Sequence, residues 1–421
     1  MSVPRTVVPV LVSALTAPLC AQGVPPGLSS PFARSTVFDT TRAPFAGCMN
    51  NLQQIAFQVL PCNAPDEFTV TMTAGNLCAT YGGSGAALGL IEGTYNVTTG
   101  VVTLTTNANA IQTPGSQHFN LQLEPGTGRY CVFDRFSSGF AYQGIFFSSR
   151  PACGMPFGAA VAVQNVASPF ASGADPSLGY VGGQLKLFYA ATINGATSIY
   201  MDGLDLTNLN APRALGTPVL VRPSSRGGNP NSPTLITGPD GDVEGLWHAD
   251  QLGNANDILF APTLDPTLPS QFAYQNTFWK NNGGLAGGRL MCSDGTIGYT
   301  QIGEAHGAWL LGDEEAPGGT ADLFGGAWFG SGSVAVTVVF LSSGVGTNLS
   351  VPGMNGAFAL NVNPLIILGS MAHDARQLAS TSVPIPNDPS LSGARLAIQG
   401  LSVDLLANVG TFTNNAWIKV R

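Results

Sequence analysis

The residues of this chain whose types and spacing admit chemistry are a few carboxylates and a set of aromatic rings. Asp175 opens the run "DPSLGYV", and Glu244 and Glu304 stand in later runs of similar character. Two carboxylates in one pocket can split a glycosidic bond, one protonating the leaving oxygen and the other acting on or through the anomeric carbon. A plainer role competes, since Asp before Pro commonly bonds backbone amides at a tight turn. That plainer role is preferred for Asp175. The equivalent residue one repeat later is Ser232, which is no acid, and Glu244 falls on a turn or second strand. No catalytic set is therefore assigned.

Tyr189, Trp247 and Trp309 fall on comparable apolar runs, with His248 and His306 close by in sequence. Tyr and Trp faces stack on sugar rings, and a polar neighbour fixes a ligand's orientation in a concave site. With Asp175, these five residues are the candidate ligand contacts; the competing role for the aromatics is packing between sheets. "PDGDVEG" (239–245) carries Asp240, Asp242 and Glu244 at alternate positions. Such oxygens can wrap a calcium ion, but the stretch also reads as an Asp-Gly hairpin turn, which is preferred. No metal and no cofactor is expected. HExxH, P-loop, GxSxG and Rossmann glycine patterns are absent, and His118, His248, His306 and His373 lack ligand spacing.

The elements that would position these residues repeat. "ADPSLGYVGGQLKLFYAATINGATSIYMDGLDL" (174–206) reads as three short strands with glycine turns, and "NSPTLITGPDGDVEGLWHADQLGNANDILFAPTL" follows 57 residues later. Asp175-Pro176-Ser177-Leu178 falls on Ser232-Pro233-Thr234-Leu235. Leu187-Phe188-Tyr189-Ala190 falls on Leu246-Trp247-His248-Ala249 at an offset of 59, the two extra residues sitting in one turn. Insertions confined to a turn, with strand register kept on both sides, mark a structural repeat. Looser copies lie upstream, in "HFNLQLEPGTGRYCVFDRFSSGFAYQGIFFSSR", and downstream, in "GGRLMCSDGTIGYTQIGEAHGAWLLGD". Four antiparallel strands at this period describe a propeller blade. About five units of ~58 residues fit between residues 30 and 318. The last hundred residues carry closely spaced strands without that period, as a small β-sandwich does. The boundary between the two is placed in "GDEEAPGGTAD".

Composition agrees with an all-β class. The chain has 421 residues, 44% of them hydrophobic and 10% charged, with Gly 53 and Pro 30. That is too apolar for disorder and too rich in turn residues for helices. A net charge of −8 without a basic patch argues against nucleic acid and anionic membrane surfaces as partners. "MSVPR", the apolar "TVVPVLVSALTAPL" and "CAQG" follow the order of a secretory signal peptide, with cleavage after Ala21. No later run of ~18 apolar residues would span a membrane. Six cysteines remain after cleavage, Cys48, Cys62, Cys78, Cys131, Cys153 and Cys292, an even number that suggests disulfides in an exported chain. Cys131 with Cys153 is the preferred pair, as the two flank one hairpin.

Three resemblances follow from these stretches. "SPTLITGPDGD…GLWHAD…NDILFAPT" resembles the PD40 or TolB-like propeller repeat, which implies a propeller and a protein-interaction scaffold. "ADPSLGYVGGQLKLFYAAT" is similar to a segment of five-bladed glycoside hydrolases such as family 43. In those enzymes an Asp at the start of an innermost strand, a second Asp and a Glu point into the central pocket. Asp175 matches the first of these, and the other two have no matching position here. "SVPIPNDPSLSGARLAIQGLSVDL…TNNAWIKV" is similar to a C-terminal β-module of secreted proteins from environmental bacteria.

The expectation is thus an all-β protein: a signal peptide (1–21), a roughly five-bladed β-propeller (30–318) and a C-terminal β-sandwich (320–421). It is expected to be secreted or held at the cell surface, and to bind a carbohydrate or another surface polymer at the channel mouth without catalysis. The alternatives are a glycoside hydrolase and a protein-interaction scaffold.

Overall fold

The computed structural model describes residues 33–39, 43–58, 60–64, 67–82, 88–96, 99, 101–223, 229–237, 242–252, 255–261, 264–266, 271–276, 284–286, 289–296, 299–304, 308–311, 314–327, 333–355, 357–373 and 378–420. The architecture is all-β. Among the described residues the helical elements are three one-turn 3-10 helices, Ala79–Tyr81, Asn109–Ile111 and Pro389–Leu391. The chain divides into two compact units, Phe32–Ala305 and His306–Arg421. The stretch expected to be a signal peptide, residues 1–21, lies outside the described residues.

In the first unit, β1 (Ala33–Asp39) comes before a series of antiparallel meanders. The first contains β2 (Asn50–Gln58), β3 (Glu67–Gly75), β4 (Leu88–Asn96) and β5 (Val101–Leu104). The second contains β6 (Ser116–Leu123), β7 (Tyr130–Ser137), β8 (Tyr142–Ser149) and β9 (Val161–Ala162). One parallel bridge, Leu88 to Gln117, joins these two. The third comprises β10 (Ser177–Val181), β11 (Gln184–Ile193) and β12 (Ala196–Asp205), with β13 (Arg213–Ala214) and β14 (Val219–Arg222) both on β12. The fourth is β15 (Asn229–Thr237), β16 (Val243–Leu252), β17 (Ala255–Ala261) and β18 (Gln271–Asn276). The fifth has β19 (Gly284–Ala286), β20 (Arg289–Thr296) and β21 (Tyr299–Glu304), and β1 returns as its fourth strand, Ala33 facing Glu304 and Asp39 facing Tyr299. The first strands of the sheets touch in sequence, β2 with β6, β6 with β10, β10 with β15 and β15 with β19, and β19 also touches β2.

The second, third and fourth sheets pack face to face, and β11 shows how one strand serves two interfaces. Side chains alternate between the faces of a strand. Leu187, Tyr189 and Ala191 join Val132, Ile145 and Phe147 of the second sheet, while Phe188 joins Val243, Leu246 and Ala261 of the fourth. Burial of each such large side chain stabilises by ~1.5–3 kcal/mol.

The same irregularity recurs in the first strand of four sheets. Gln53 faces Thr73 but Ala56 faces Thr71; Phe119 faces Asp134 but Gln122 faces Val132; Asn231 faces Ala249 but Thr234 faces Trp247. Just ahead of β10, Ala174 accepts from Ala190 N while Ser177 faces Phe188. One extra residue on one strand is a β-bulge, which turns a side chain out of the alternation. Asn120, Asp175 and Ser232 are thereby brought into register, with φ of 56°, 47° and 52°. Asn and Asp tolerate this left-handed region better than other residues with a Cβ.

Two disulfides close the first unit's early part, Cys48–Cys78 and Cys62–Cys153, the second linking the first meander to the second. This corrects the expected Cys131–Cys153 pair. Cys131 points inward on β7 among Leu121, Leu123 and Phe133, and its thiol is free. Burial pushes that thiol's pKa up, so it stays protonated. Disulfides of this kind belong to oxidising, extracytoplasmic compartments. Among the described residues no helix is long and apolar enough to cross a membrane.

In the second unit, β22 (Ala308–Leu311), β24 (Thr320–Ala327) and β30 (Leu378–Pro384) form a three-stranded sheet in the order β22-β24-β30. A six-stranded sheet runs β23 (Glu314–Glu315), β32 (Val409–Val420), β31 (Arg395–Asp404), β25 (Ala335–Ser342) and β29 (Leu365–Ala372), with β27 (Met354–Asn355) on β32. β26 (Val345–Leu349) pairs with β28 (Phe358–Leu360). Leu310, Ala321 and Leu323 of the smaller sheet meet Val339, Leu341, Ile398 and Ile418 of the larger in one aliphatic core. "IPNDPSLSG" seals its edge. Asp388 caps the turn Pro389–Leu391 by accepting from Ser390 N at 2.9 Å, and Ile385 and Leu391 point into the core. Hydrogen bonds from Ser390 hold the Asp388 carboxyl below its ordinary pKa. The stretch "GDEEAPGGTAD" lies inside this unit, since β22 ahead of it pairs with β24.

Candidate functional site

The bulge residues of three consecutive sheets are joined by hydrogen bonds. Asn120 Nδ2 donates to Asp175 Oδ1, and Asp175 Oδ2 accepts from Ser232 N at 3.1 Å and from Ser232 Oγ at 2.8 Å. Asp134, on β7 opposite Phe119, adds a second carboxylate. Its Oδ2 accepts from Asp175 N at 2.8 Å, and its Oδ1 accepts from Ala174 N at 3.3 Å and from Tyr142 Oη at 3.0 Å. A further link runs from Ser177 Oγ to the carbonyl of Pro233. Asp134 and Asp175 are 0% and 2% exposed, so both carboxylates meet amides and hydroxyls rather than solvent. Burial, and next the Asp134 charge, push the Tyr142 phenol well above its ordinary pKa, keeping it a donor. Chemically the arrangement is a polar belt that ties the first strands together.

The aromatic positions belong to the packing between sheets. Counted from the bulge, Met72, Phe133, Tyr189 and His248 occupy one equivalent position on the second strands, and all four are buried. Burial pushes the Tyr189 phenol up to about 12, with Asp202 adding to it. Trp247 sits opposite Thr234 on β16; its side chain, like His306 altogether, lies outside the described residues. Trp309 is placed differently from its sequence-based assignment. It faces Gly326 of β24 in the second unit, so its strand is not an equivalent of β11 or β16. "AHGAWLL" has the alternation of a middle strand, and pairing partners far along the chain decided its place.

Asp242 also acts on amides. Asp242, from the hairpin "PDGDVEG", accepts from Gly182 N at 2.7 Å and Gly183 N at 3.1 Å, clamping the turn of the preceding sheet. Those two glycines have φ of 59° and 70°, the left-handed pair that a two-residue hairpin demands. Asp240 lies outside the described residues. Glu244 follows Val243 at the hairpin end of β16, roughly 13 Å along the strands from Ser232 at ~3.3 Å per residue. Glu304 ends β21, between Ala33 and Met291.

Two further buried features, the Glu92–Arg150 pair and His118, have no role in the sequence-based reading. Glu92 Oε1 and Oε2 accept from Arg150 Nη1 at 2.9 and 2.8 Å, and Arg150 Nε donates to Gly128 O at 2.6 Å. The guanidinium lies 4.3 Å from the Phe157 ring centre. Burial raises the Glu92 pKa while Arg150 opposes it. His118 is fully buried; its Nε2 accepts from Thr113 N at 3.1 Å, which leaves the proton on Nδ1 facing Leu88 O at 3.3 Å. Burial lowers its pKa to about 4.

No family model matches the chain, and no curated protein matches it. Among solved structures it is similar to Zg3597, a family 117 glycoside hydrolase of the marine bacterium Zobellia galactanivorans. The identity is 12% and the TM-score 0.39, over 65% of this chain and 89% of that one. A second likeness, to Escherichia coli alpha-2-macroglobulin activated by porcine elastase, has 10% identity and a TM-score of 0.19, over 84% of this chain and 26% of that one. Neither score carries weight for fold or function.

Proposed function

We propose that the first unit is a five-bladed β-propeller, the second a β-sandwich, and the whole an exported, non-enzymatic binding protein. Its ligand, a carbohydrate or another surface polymer, is taken at the end of the propeller where the first strands begin. Five successive meanders, the return of β1 to the fifth and the contact of β19 with β2 support the propeller. Residues 1–21 act as the export signal, in keeping with the two disulfides.

The observation that carries the non-enzymatic reading is the state of Asp175. Both carboxylate oxygens are occupied, one by Asn120 and the other by Ser232, and the residue is 2% exposed. A general base must reach the proton it abstracts. A carboxylate spent on the neighbouring sheet holds the scaffold instead.

The test is incubation of the mature chain with xylan, arabinan, laminarin and dextran, read by affinity electrophoresis and by release of reducing ends. Retardation without release is expected. Release that disappears in Asp175→Asn would replace this reading with a glycoside hydrolase, and silence in both readouts would direct the search to protein partners.

A further inference from the structure

Phe140 is the only exposed Phe, Tyr or Trp among the residues whose burial is described, at 64%. It sits in the turn between β7 and β8 with φ of 61°, a conformation usually left to Gly or Asn. The corresponding turn of the next sheet, between β11 and β12, uses Asn194 and Gly195 for that purpose. The turn that carries Phe140 is closed by hydrogen bonds. Phe140 N donates to Ser137 O at 3.0 Å, Ser137 N to Ala141 O at 2.8 Å, and Ala141 N to Ser137 Oγ at 3.1 Å. Gln117 of β6 anchors it from the side by donating to Ser138 O at 3.1 Å. Since Ser116 faces Ser137, this turn stands at the end where the first strand begins, roughly 10 Å along β7 from Asp134 at ~3.3 Å per residue. Backbone strain retained at a solvent-exposed residue points to use rather than packing.

We propose that Phe140 is a stacking platform for one pyranose ring of a neutral polysaccharide, an inference that rests on the carbohydrate-binding reading above. The chemistry around it selects that partner over a protein. A protein-docking surface is a patch of apolar side chains, whereas the turn around Phe140 is Ser137, Ser138, Gly139 and Ala141, all small and uncharged. A sugar has the matching form, with an apolar C–H face for the ring and hydroxyls at the rim for the neighbours. Removing a stack of this kind weakens binding on the order of tenfold.

Affinity electrophoresis in gels containing xylan, arabinan, laminarin or dextran, with a melting curve for each variant, tests this. Phe140→Gly is expected to lose about tenfold in affinity for the retarding polysaccharide while its Tm stays level or rises, because Gly adopts this φ freely. Phe140→Trp is expected to keep binding. Equal retardation of wild type and Phe140→Gly would overturn the platform and leave the carbohydrate reading standing. A lowered Tm in Phe140→Gly would show the ring to be a packing residue and overturn it too. Wild type unretarded by all four polysaccharides would overturn both.

Discussion

The two units hold their sheets together by different means. In residues 32–305, polar side chains cross from sheet to sheet: Asn120 to Asp175, Asp175 to Ser232, Asp242 to the Gly182–Gly183 turn. In residues 306–421 the contact between the three- and six-stranded sheets is aliphatic, and the polar link that leaves the six-stranded sheet, Gln399 Oε1 accepting from Ala359 N at 2.8 Å, reaches only the small β26–β28 pair. Aliphatic packing is tolerant of rearrangement, whereas a buried polar link is satisfied in one register only. A series of similar meanders needs that register fixed at each step, and the aliphatic contact of the second unit does not.

The largest expected effect lies on the polar side of this contrast. Arg150→Ala strands the Glu92 carboxylate in the interior and removes the donor to Gly128 O, which should cost ~3–5 kcal/mol. Urea unfolding followed through the first unit's tyrosines reads it; a loss under ~1 kcal/mol would mean that the pair is dispensable.

On the aliphatic side, Ile398→Ala deletes a fully buried side chain from the core of the second unit and should cost about 3 kcal/mol. Its signature is faster hydrogen exchange in β25, β31 and β32, while Ile398→Val costs ~1 kcal/mol. If Ile398→Ala were as mild as Ile398→Val, the contrast between graded and all-or-none interfaces would be blunted.

A smaller effect depends on pH. His118 has a folded pKa of about 4 against an ordinary 6.5, so the unfolded chain binds its proton first as pH falls. Its contribution is complete above pH 6.5 and is lost on the way down to about pH 4, at no more than ~1.4 kcal/mol per pH unit. His118→Gln should flatten the stability profile across that window, and a profile parallel to wild type would contradict the assignment.

Much of the first unit's order was legible before the fold was known, and particular residues show where legibility stopped. The pairing of Asp175 with Ser232, and of Tyr189 with His248, was visible because Pro176 and Pro233 mark the same step in both copies. Asn120 belongs to the same series but is followed by Leu121, so the mark is missing. The bulge itself leaves no sequence trace beyond that Pro, and it is the bulge that turns Asp175 towards Ser232 rather than towards solvent. Cys131 and Trp309 were misplaced for a shared reason. Local alternation gives the face of a strand, while the disulfide partner and the neighbouring strand are set by residues far along the chain, Cys62 for Cys153 and Gly326 for Trp309.

The polar belt rests most directly on the link between the first strands of the third and fourth sheets. A double-mutant cycle of Asp175→Ala and Ser232→Ala in urea measures it, because the cost of placing Ala at a positive φ appears on both sides of the cycle and cancels. Since Ala at 232 keeps the backbone N–H, the cycle reads the bond from Ser232 Oγ to Asp175 Oδ2, which predicts a coupling of ~1–3 kcal/mol. Additive losses, with coupling below ~0.5 kcal/mol, would contradict a belt of polar residues holding successive sheets in register.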